Sequence, residues 1–147
     1  MLITELMAPL LGDWQGTEHQ EQSPWAPASG ARAALRFKHE AGGSVVVQDY
    51  RQVRDNAVEF YGHGVFLAQG EEVWWWFFDS YGEPPVPAVG GWVDGELALV
   101  KTTVRGTAVH RFQANWDRLD YRITLGGPDQ GAVIPFLAGT YSRISGH

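Results

Sequence analysis

The sequence has no cysteine, few basic residues and no long apolar run. The absence of cysteine excludes disulfide bonds, thiolate-bound metals and cysteine nucleophiles. With 11 Lys and Arg against 17 Asp and Glu, the net charge is −6, which argues against a nucleic acid or an anionic membrane as partner. No stretch approaches the roughly 20 apolar residues that a membrane-spanning helix requires. We therefore expect no nucleic-acid partner and no membrane partner.

The first residues also lack the features of an export signal. The segment Met1–Leu11 is apolar, but it has no Lys or Arg at its start and is interrupted by Glu5. Secretory signal peptides combine a positively charged start with an uninterrupted apolar stretch. The sequence therefore predicts an intracellular, cytoplasmic protein.

Aromatic residues are abundant in a chain whose composition is otherwise ordinary for a globular protein. The length of 147 residues predicts one domain, spanning 1–147, and 44% of the residues are hydrophobic against 19% charged. Seven Trp, seven Phe and five Tyr are present, and three of the Trp are consecutive. Taken alone, this excess indicates only a large apolar core.

The pattern after Gly12 is that of antiparallel strands. Residues 31–40 place Ala, Leu and Phe on one face and charged residues on the other, and residues 119–125 alternate in the same manner. Turn residues, such as Ala41-Gly42-Gly43, Asp55-Asn56 and Asp94-Gly95, separate the strands. The other predicted strands are Asp13–Gln22, Ser44–Arg54, Val58–Ala68, Glu72–Ser80, Gly90–Val93, Glu96–Thr103, Gly106–Asn115 and Val133–Ile144.

This arrangement predicts an all-β fold. Short strands joined by tight turns, with no long helix between them, exclude a parallel α/β sheet. An antiparallel up-and-down barrel of about ten strands would remove exposed sheet edges and leave an internal cavity. A two-sheet sandwich, which has similar patterning, is the alternative. One short N-terminal helix is also predicted, because Leu2, Leu6 and Leu10 fall on one helical face.

Several short motifs resemble those of one protein family. The segment Leu11-Gly12-Asp13-Trp14 contains the Gly-x-Trp that opens the first strand of lipocalin-like barrels. The accompanying motifs are Trp14-Gln15-Gly16-Thr17-Glu18, Ser23-Pro24-Trp25, Gln48-Asp49-Tyr50, Gly62-His63-Gly64-Val65, Trp75-Trp76-Phe77-Phe78-Asp79-Ser80 and Gly139-Thr140-Tyr141-Ser142-Arg143. As an ordered set, they resemble the bacterial lipocalin-like (calycin) family named domain of unknown function 1579. The resemblance implies a calycin barrel but no established activity.

The resemblance also implies a structural role for two residues. In calycin barrels, the tryptophan of the Gly-x-Trp motif packs across the closed end, often against an arginine of the last strand. Trp14 and Arg143 match these positions. Because an indole face stacks favourably on a guanidinium, we expect this pair to close one end of the barrel.

Polar residues on the predicted strands are candidates for a ligand site, because polar groups inside a barrel need partners. His63 lies between two glycines that leave space around it, although a hydrogen bond to a neighbouring strand would explain it equally. His110 alternates with small and aromatic residues and is expected to point inward. Glu18 shares a face with Trp14 and, if buried, needs a partner such as Arg or His. The candidate ligand-binding residues are His63, Trp76, Asp79, His110, Tyr50, Tyr141 and Glu18.

The aromatic run Trp74–Phe78 must place rings on both faces of one strand, because successive side chains point to opposite sides. The sequence leaves open which set of rings lies inside. The outward set is either covered by the N-terminal helix and loops or forms the contact of a homodimer.

These features favour a binding protein that holds a small apolar or aromatic molecule in the barrel, with one or two polar anchors. The alternative is an enzyme acting on a small hydrophobic substrate, with His63 or His110 as general acid–base and Asp79 or Glu18 as the orienting carboxylate. The sequence contains no nucleophile elbow, phosphate-binding loop or metal-ligand spacing. We therefore predict no metal site and assign no catalytic residue.

No cofactor is predicted either. Nitrobindin-like barrels, which share the Gly-x-Trp opening, bind haem through a histidine of the last strand just before a Thr-Tyr pair. The corresponding stretch here, residues 135–141, contains no histidine. Without that axial ligand, we do not expect haem to bind.

Overall fold

The computed structural model describes residues 1–23, 27–54, 59–82, 84–127 and 133–145. Within them, the chain starts with helix α1 (Ile3–Leu6) and a 3₁₀ turn (Ala8–Leu10). Ten strands follow: β1 (Gly12–Gln20), β2 (Ser29–Glu40), β3 (Val45–Arg54), β4 (Glu59–Gln69), β5 (Glu72–Asp79), β6 (Ala88–Val93), β7 (Glu96–Thr103), β8 (Gly106–Ala114), β9 (Arg118–Gly126) and β10 (Ile134–Ser145). No helix in these ranges is long and apolar enough to cross a membrane.

The strands form one closed antiparallel barrel in chain order. Each strand pairs with its neighbours in the sequence, and β1 pairs with β10 as well as with β2. Closure gives hydrogen-bond partners to the backbone of what would otherwise be two edge strands. The predicted up-and-down barrel with a short N-terminal helix is therefore confirmed, and the sandwich alternative is wrong.

The strand boundaries follow the sequence pattern, because side-chain alternation and turn residues agree. The bounds of β7 are those predicted, and β3 and β8 each differ by one residue at one end. The hairpin at Asp94-Gly95 has positive φ at both residues, as the favoured two-residue hairpin turn requires. The predicted Asp55-Asn56 turn lies outside the described residues.

One half of the barrel interior is filled with apolar side chains. The inward residues at the end where β1 begins are buried, and they include Trp14, Leu35, Phe37, Phe66, Leu97, Phe112 and Leu119. The Phe37 ring packs against Phe66 and Phe112, with ring centroids 6.1 and 6.3 Å apart. This half therefore forms the hydrophobic core and has no room for a ligand.

The N-terminal segment closes this end of the barrel. Its buried residues, which belong to the core cluster, are Ile3, Leu6, Met7 and Leu10. Two indoles hold its backbone in place: Nε1 of Trp14 donates to the carbonyl of Leu10 at 2.9 Å, and Nε1 of Trp92 donates to that of Leu6 at 2.8 Å. The predicted helix thus acts as a plug at the barrel end.

Arg143 ties the plug to the last strand. Its guanidinium carbon lies 4.2 Å from the ring centroid of Trp14 and 4.9 Å from that of Trp116. The same guanidinium donates hydrogen bonds to the backbone carbonyls of Pro9, Leu11 and Trp116. A planar cation with several fixed donors suits this combination of ring stacking and carbonyl contacts better than a lysine would.

Gly64→Ala is expected to destabilise the barrel. A Cβ at Gly64 would overlap the hydrogen bond that Trp75 donates to Gln48. We expect the free energy of unfolding to fall by about 1–3 kcal/mol, the usual cost of overfilling a packed interior. Gly91→Ala is the matched control, because its Cβ would meet only a backbone oxygen at 3.5 Å. Urea denaturation of both variants measures the difference, and equal stabilities would contradict this packing.

Candidate functional site

A cavity of about 230 Å³ lies inside the barrel, at the end opposite the N-terminal plug. Its aromatic lining includes Phe60, Trp75, Phe77, Tyr121 and Phe136. The volume exceeds that of an engineered cavity of about 150 Å³ that binds benzene. It is below the roughly 300 Å³ at which pockets for drug-sized molecules begin. The cavity therefore suits a small molecule, of about one or two rings.

The aromatic wall of the cavity comes from the odd-numbered residues of β5. Trp75, Phe77 and Asp79 line the cavity, and the even-numbered aromatic residues of the strand face outward. The neighbouring strand β4 makes room for these rings through glycines on its inner face. A Cβ at Gly62 would overlap the Phe77 ring, and a Cβ at Gly64 would overlap Trp75. The two glycines beside His63 therefore leave space for β5 side chains.

A buried carboxylate, that of Glu18, lies next to the cavity. Glu18 is 4% exposed. It accepts hydrogen bonds from the hydroxyls of Tyr50 and Tyr141 and, at 2.7 Å, from the side-chain amide of Gln52. Burial, together with the charge of Glu18, raises the pKa of both tyrosines, so their hydroxyls stay protonated and donate. The expected Arg or His partner is absent from this contact, and tyrosine and glutamine donors take its place.

His110 also faces the cavity, and it is held by Tyr121. Its Nδ1 lies 2.6 Å from the Tyr121 hydroxyl. Burial, with a smaller effect of the Lys101 charge, lowers the pKa of His110 to about 3, so the ring is neutral at pH 7. Because the buried Tyr121 hydroxyl has no other hydrogen-bond acceptor in the described part of the chain, it donates to Nδ1. The histidine proton is then on Nε2, and His110 presents an N–H donor.

The mouth of the cavity carries charged side chains that sequence analysis did not single out. Lys101 and Arg54 line it together with Asp79. Arg54 Nε donates to Oε1 of Gln52 at 3.1 Å, and Oδ1 of Asp79 accepts from the backbone N–H of Tyr81 at 3.0 Å. The signal for Lys101 was present in the sequence, because it continues the inward alternation of Leu97 and Leu99 along β7.

Two candidate residues lie outside the barrel. The His63 side chain is 49% exposed, and its Nδ1 is 3.0 Å from Oδ1 of Asp49 on the adjacent strand. Trp76 faces outward beside Trp74, with ring centroids 5.9 Å apart. The expectation that His63 and Trp76 line the cavity is therefore wrong. Trp76 and Asp79 could not both face inward, because odd and even residues of a regular strand point to opposite sides.

The other candidates lie in the interior: Glu18, Tyr50, Asp79, His110 and Tyr141. Across the described ranges, no buried side-chain nitrogen or oxygen lacks a hydrogen-bond partner. In the same ranges, no group of three or more His, Asp or Glu side chains is arranged to hold a metal ion. The interior thus offers apolar rings, neutral donors, two cations and the carboxylate of Asp79 to a ligand.

The half-buried, neutral His110 makes the folding stability depend on pH. The unfolded chain binds a proton at this residue below about pH 6.5, whereas the lowered pKa keeps the folded form neutral down to about pH 3. Folding stability is therefore lost as the pH falls through this window. Between pH 7 and pH 5 we expect wild type to lose about 2 kcal/mol more than His110→Gln does. Urea denaturation at both pH values measures this.

The matched control for this experiment is His39→Gln, which alters an exposed histidine of β2. It should retain the full pH dependence of the wild type. If His110→Gln retains the full pH dependence as well, His110 is not held neutral in the folded protein.

No family model matches this chain, and no curated protein matches it. Solved structures do match. The crystal structure of Rv2717c from M. tuberculosis has a TM-score of 0.79 at 17% identity, covering 97% of this chain and 98% of that chain. The S-type phycobiliprotein lyase CPES from Guillardia theta has a TM-score of 0.72 at 13% identity, covering 100% and 95%.

A third structure, a protein of unknown function from the DUF3598 family of Nostoc punctiforme, has a TM-score of 0.60 at 16% identity. The match covers 94% of this chain and 48% of that chain. At these identities the likenesses show the fold alone. The protein shares with these structures the fold of a closed, ten-stranded antiparallel β-barrel.

Proposed function

We propose that residues 1–147 form a single lipocalin-like domain that binds a small apolar or aromatic molecule inside the barrel. The observation that carries the proposal is the cavity of about 230 Å³, left open at one end of an interior that is otherwise filled. A well-packed barrel of this size has little empty interior space, and a concave apolar pocket with a few polar groups is typical of a ligand site.

The cavity wall is a set of aromatic rings that hold one another in place. The ring of Phe77 lies 5.3 Å from Trp75 and 6.2 Å from Tyr50, and Tyr50 lies 5.8 Å from Phe60, measured between centroids. The contacts of Tyr50 with its neighbours are edge-to-face, the geometry that aromatic pairs favour. Rings fixed in this way lose little further freedom when a ligand binds, which favours affinity.

Polar anchors are available at two depths. His110 offers a neutral N–H deep in the cavity, and Asp79 accepts hydrogen bonds near the mouth. Tyr50, Tyr141 and Glu18 are committed to one another, so they shape the floor of the site more than they anchor a ligand.

Two observations support binding over the enzymatic alternative. His63, one of the two predicted general acid–bases, is on the outer wall beside Asp49. His110, the other, has a pKa lowered to about 3 by burial, and its Nδ1 accepts the Tyr121 proton. A general acid–base works best with a pKa near the working pH, so neither histidine suits proton transfer in the cavity.

The remaining parts of the proposal come from the sequence. We assign the chain to the bacterial family named domain of unknown function 1579, on the ordered motifs from Gly12 to Arg143, and expect it to act in the cytoplasm. The outward aromatic residues of Trp74–Phe78 are the proposed homodimer contact, supported by the 47% exposure of Phe78. One similar structure is a phycobiliprotein lyase, but at 13% identity that likeness extends to the fold alone.

Ile123→Phe tests the cavity directly. Ile123 lines the cavity, so a larger side chain there should exclude ligand. Indole is a suitable neutral probe, and isothermal titration calorimetry should show its affinity falling at least about tenfold, or roughly 1.4 kcal/mol. Val100→Phe makes a comparable change on the outer face of β7, where the residue is 41% exposed, and should bind as wild type does.

His63→Ala serves as a second control and should also bind indole unchanged, because His63 is on the outer wall. The proposal fails if the wild-type protein binds neither indole nor toluene, or if Ile123→Phe binds both as well as wild type does. If the probes bind as expected, native mass spectrometry of protein purified from its own host would identify the natural ligand.

A further inference from the structure

We propose that the natural ligand is an anion, a small carboxylate with an apolar or aromatic body, whose charged end pairs with Lys101 and Arg54 at the cavity mouth. The inference rests on the proposed function and names the chemical class of its ligand. It is carried by the juxtaposition of two cations with an aromatic cavity in an acidic protein.

Lys101 is an unusual lysine for this chain. Only two lysines are present, and the other, Lys38, is exposed and lies 3.2 Å from the carboxylate of Glu40. Lys101 lines the cavity and shares the inner face of β7 with the buried Leu99. Its ammonium forms no ion pair with any carboxylate of the described residues. Lys101 is half-buried at the mouth of the cavity, where a bound anion would give its ammonium a charged partner.

Arg54 also lies at the cavity mouth, where its partner is the neutral side chain of Gln52. Its Nε donates to Oε1 of Gln52 at 3.1 Å, while the amide nitrogen of Gln52 donates to Glu18 at 2.7 Å. Because the amide must donate to one partner and accept from the other, its orientation is fixed, and it orients Arg54 in turn. In the described ranges Arg54 makes no ion pair, so its charge stays available for a ligand.

Among the side chains that line the cavity, cations outnumber carboxylates. Two cations and one carboxylate, Asp79, line the cavity of a protein whose net charge is −6. Both oxygens of the nearby Glu18 already accept hydrogen bonds, from Tyr50, Tyr141 and Gln52. Positive charge concentrated in a low-dielectric cleft attracts an anion more strongly than the same charge on the open surface.

The geometry favours a carboxylate among the anions. A guanidinium can hold both oxygens of a carboxylate, and the lysine ammonium can add a further charged hydrogen bond. The rings of Phe60 and Phe77 line the same cavity and can contact the apolar body. The volume of about 230 Å³ limits that body to a small one.

Three probes with the same ring and chain length test the charge preference: 3-phenylpropanoate, 3-phenylpropanamide and 3-phenylpropan-1-amine. Calorimetry with the wild-type protein should show the carboxylate binding at least about tenfold tighter than the neutral amide, the effect of one charged hydrogen bond. The amine should bind more weakly than the amide. The preference for the carboxylate should shrink as the salt concentration rises.

Two variants test whether Lys101 and Arg54 pair with the carboxylate of the ligand. Lys101→Gln and Arg54→Gln should each weaken binding of the carboxylate by about tenfold and leave binding of the amide unchanged. Lys38→Gln removes the other lysine and should bind all three probes as wild type does. Circular dichroism checks that each variant folds, and if one does not, the other variant and the wild-type series still decide.

The outcomes separate this inference from the proposed function. If the amide binds as tightly as the carboxylate, or if the two variants weaken both probes equally, the anion is ruled out and the binding cavity stands. If the carboxylate binds equally well to Ile123→Phe, it binds outside the barrel and the inference fails. If wild type binds none of the probes, nor indole, the proposed function fails together with the inference.

Discussion

The pairing of β1 with β10 is the constraint on which the rest of the structure depends. Once the sheet is closed, each strand has an inner and an outer face. Every inward side chain then packs against other side chains, forms hydrogen bonds with them or borders the cavity. At one end, the N-terminal plug and Arg143 complete an apolar core. At the other, large rings and glycines alternate across β4 and β5, and the interior stays open. The cavity is thus a consequence of closure and of side-chain size.

Some polar side chains in the interior have all their partners within the barrel, whereas two charged side chains have no ion-pair partner there. Glu18, with its tyrosine and glutamine donors, forms a closed set of hydrogen bonds within the barrel, and His110 accepts from Tyr121 while its other ring nitrogen keeps an N–H donor. Lys101 and Arg54 differ, because neither forms an ion pair with a carboxylate of the described residues, although Asp79 lines the same cavity. Two such charges at the mouth of an apolar cavity are consistent with the proposed recognition of an oppositely charged group.

The fold could be predicted from the sequence because alternation, turn residues and the Gly-x-Trp motif agreed, whereas the site could only be predicted in part. The orientation of β4 could have been predicted from the sequence, because the polar residues Glu59 and Gln69 share the face of His63 and indicate that this face points outward. The glycines beside His63 suggested space around the histidine, but they accommodate rings from β5. The donors to Glu18 come from strands distant in sequence, and no local pattern identifies such contacts.

The proposed binding of a small molecule inside the barrel can be tested by a crystal structure with 3-(4-bromophenyl)propanoate, in which anomalous scattering locates the bromine. We expect a bromine peak within the cavity, among the rings of Trp75, Phe77 and Tyr121, with the carboxylate at the mouth. A bromine found only on the outer wall, beside His63 or Trp76, or no bromine in crystals grown with saturating ligand, would contradict it.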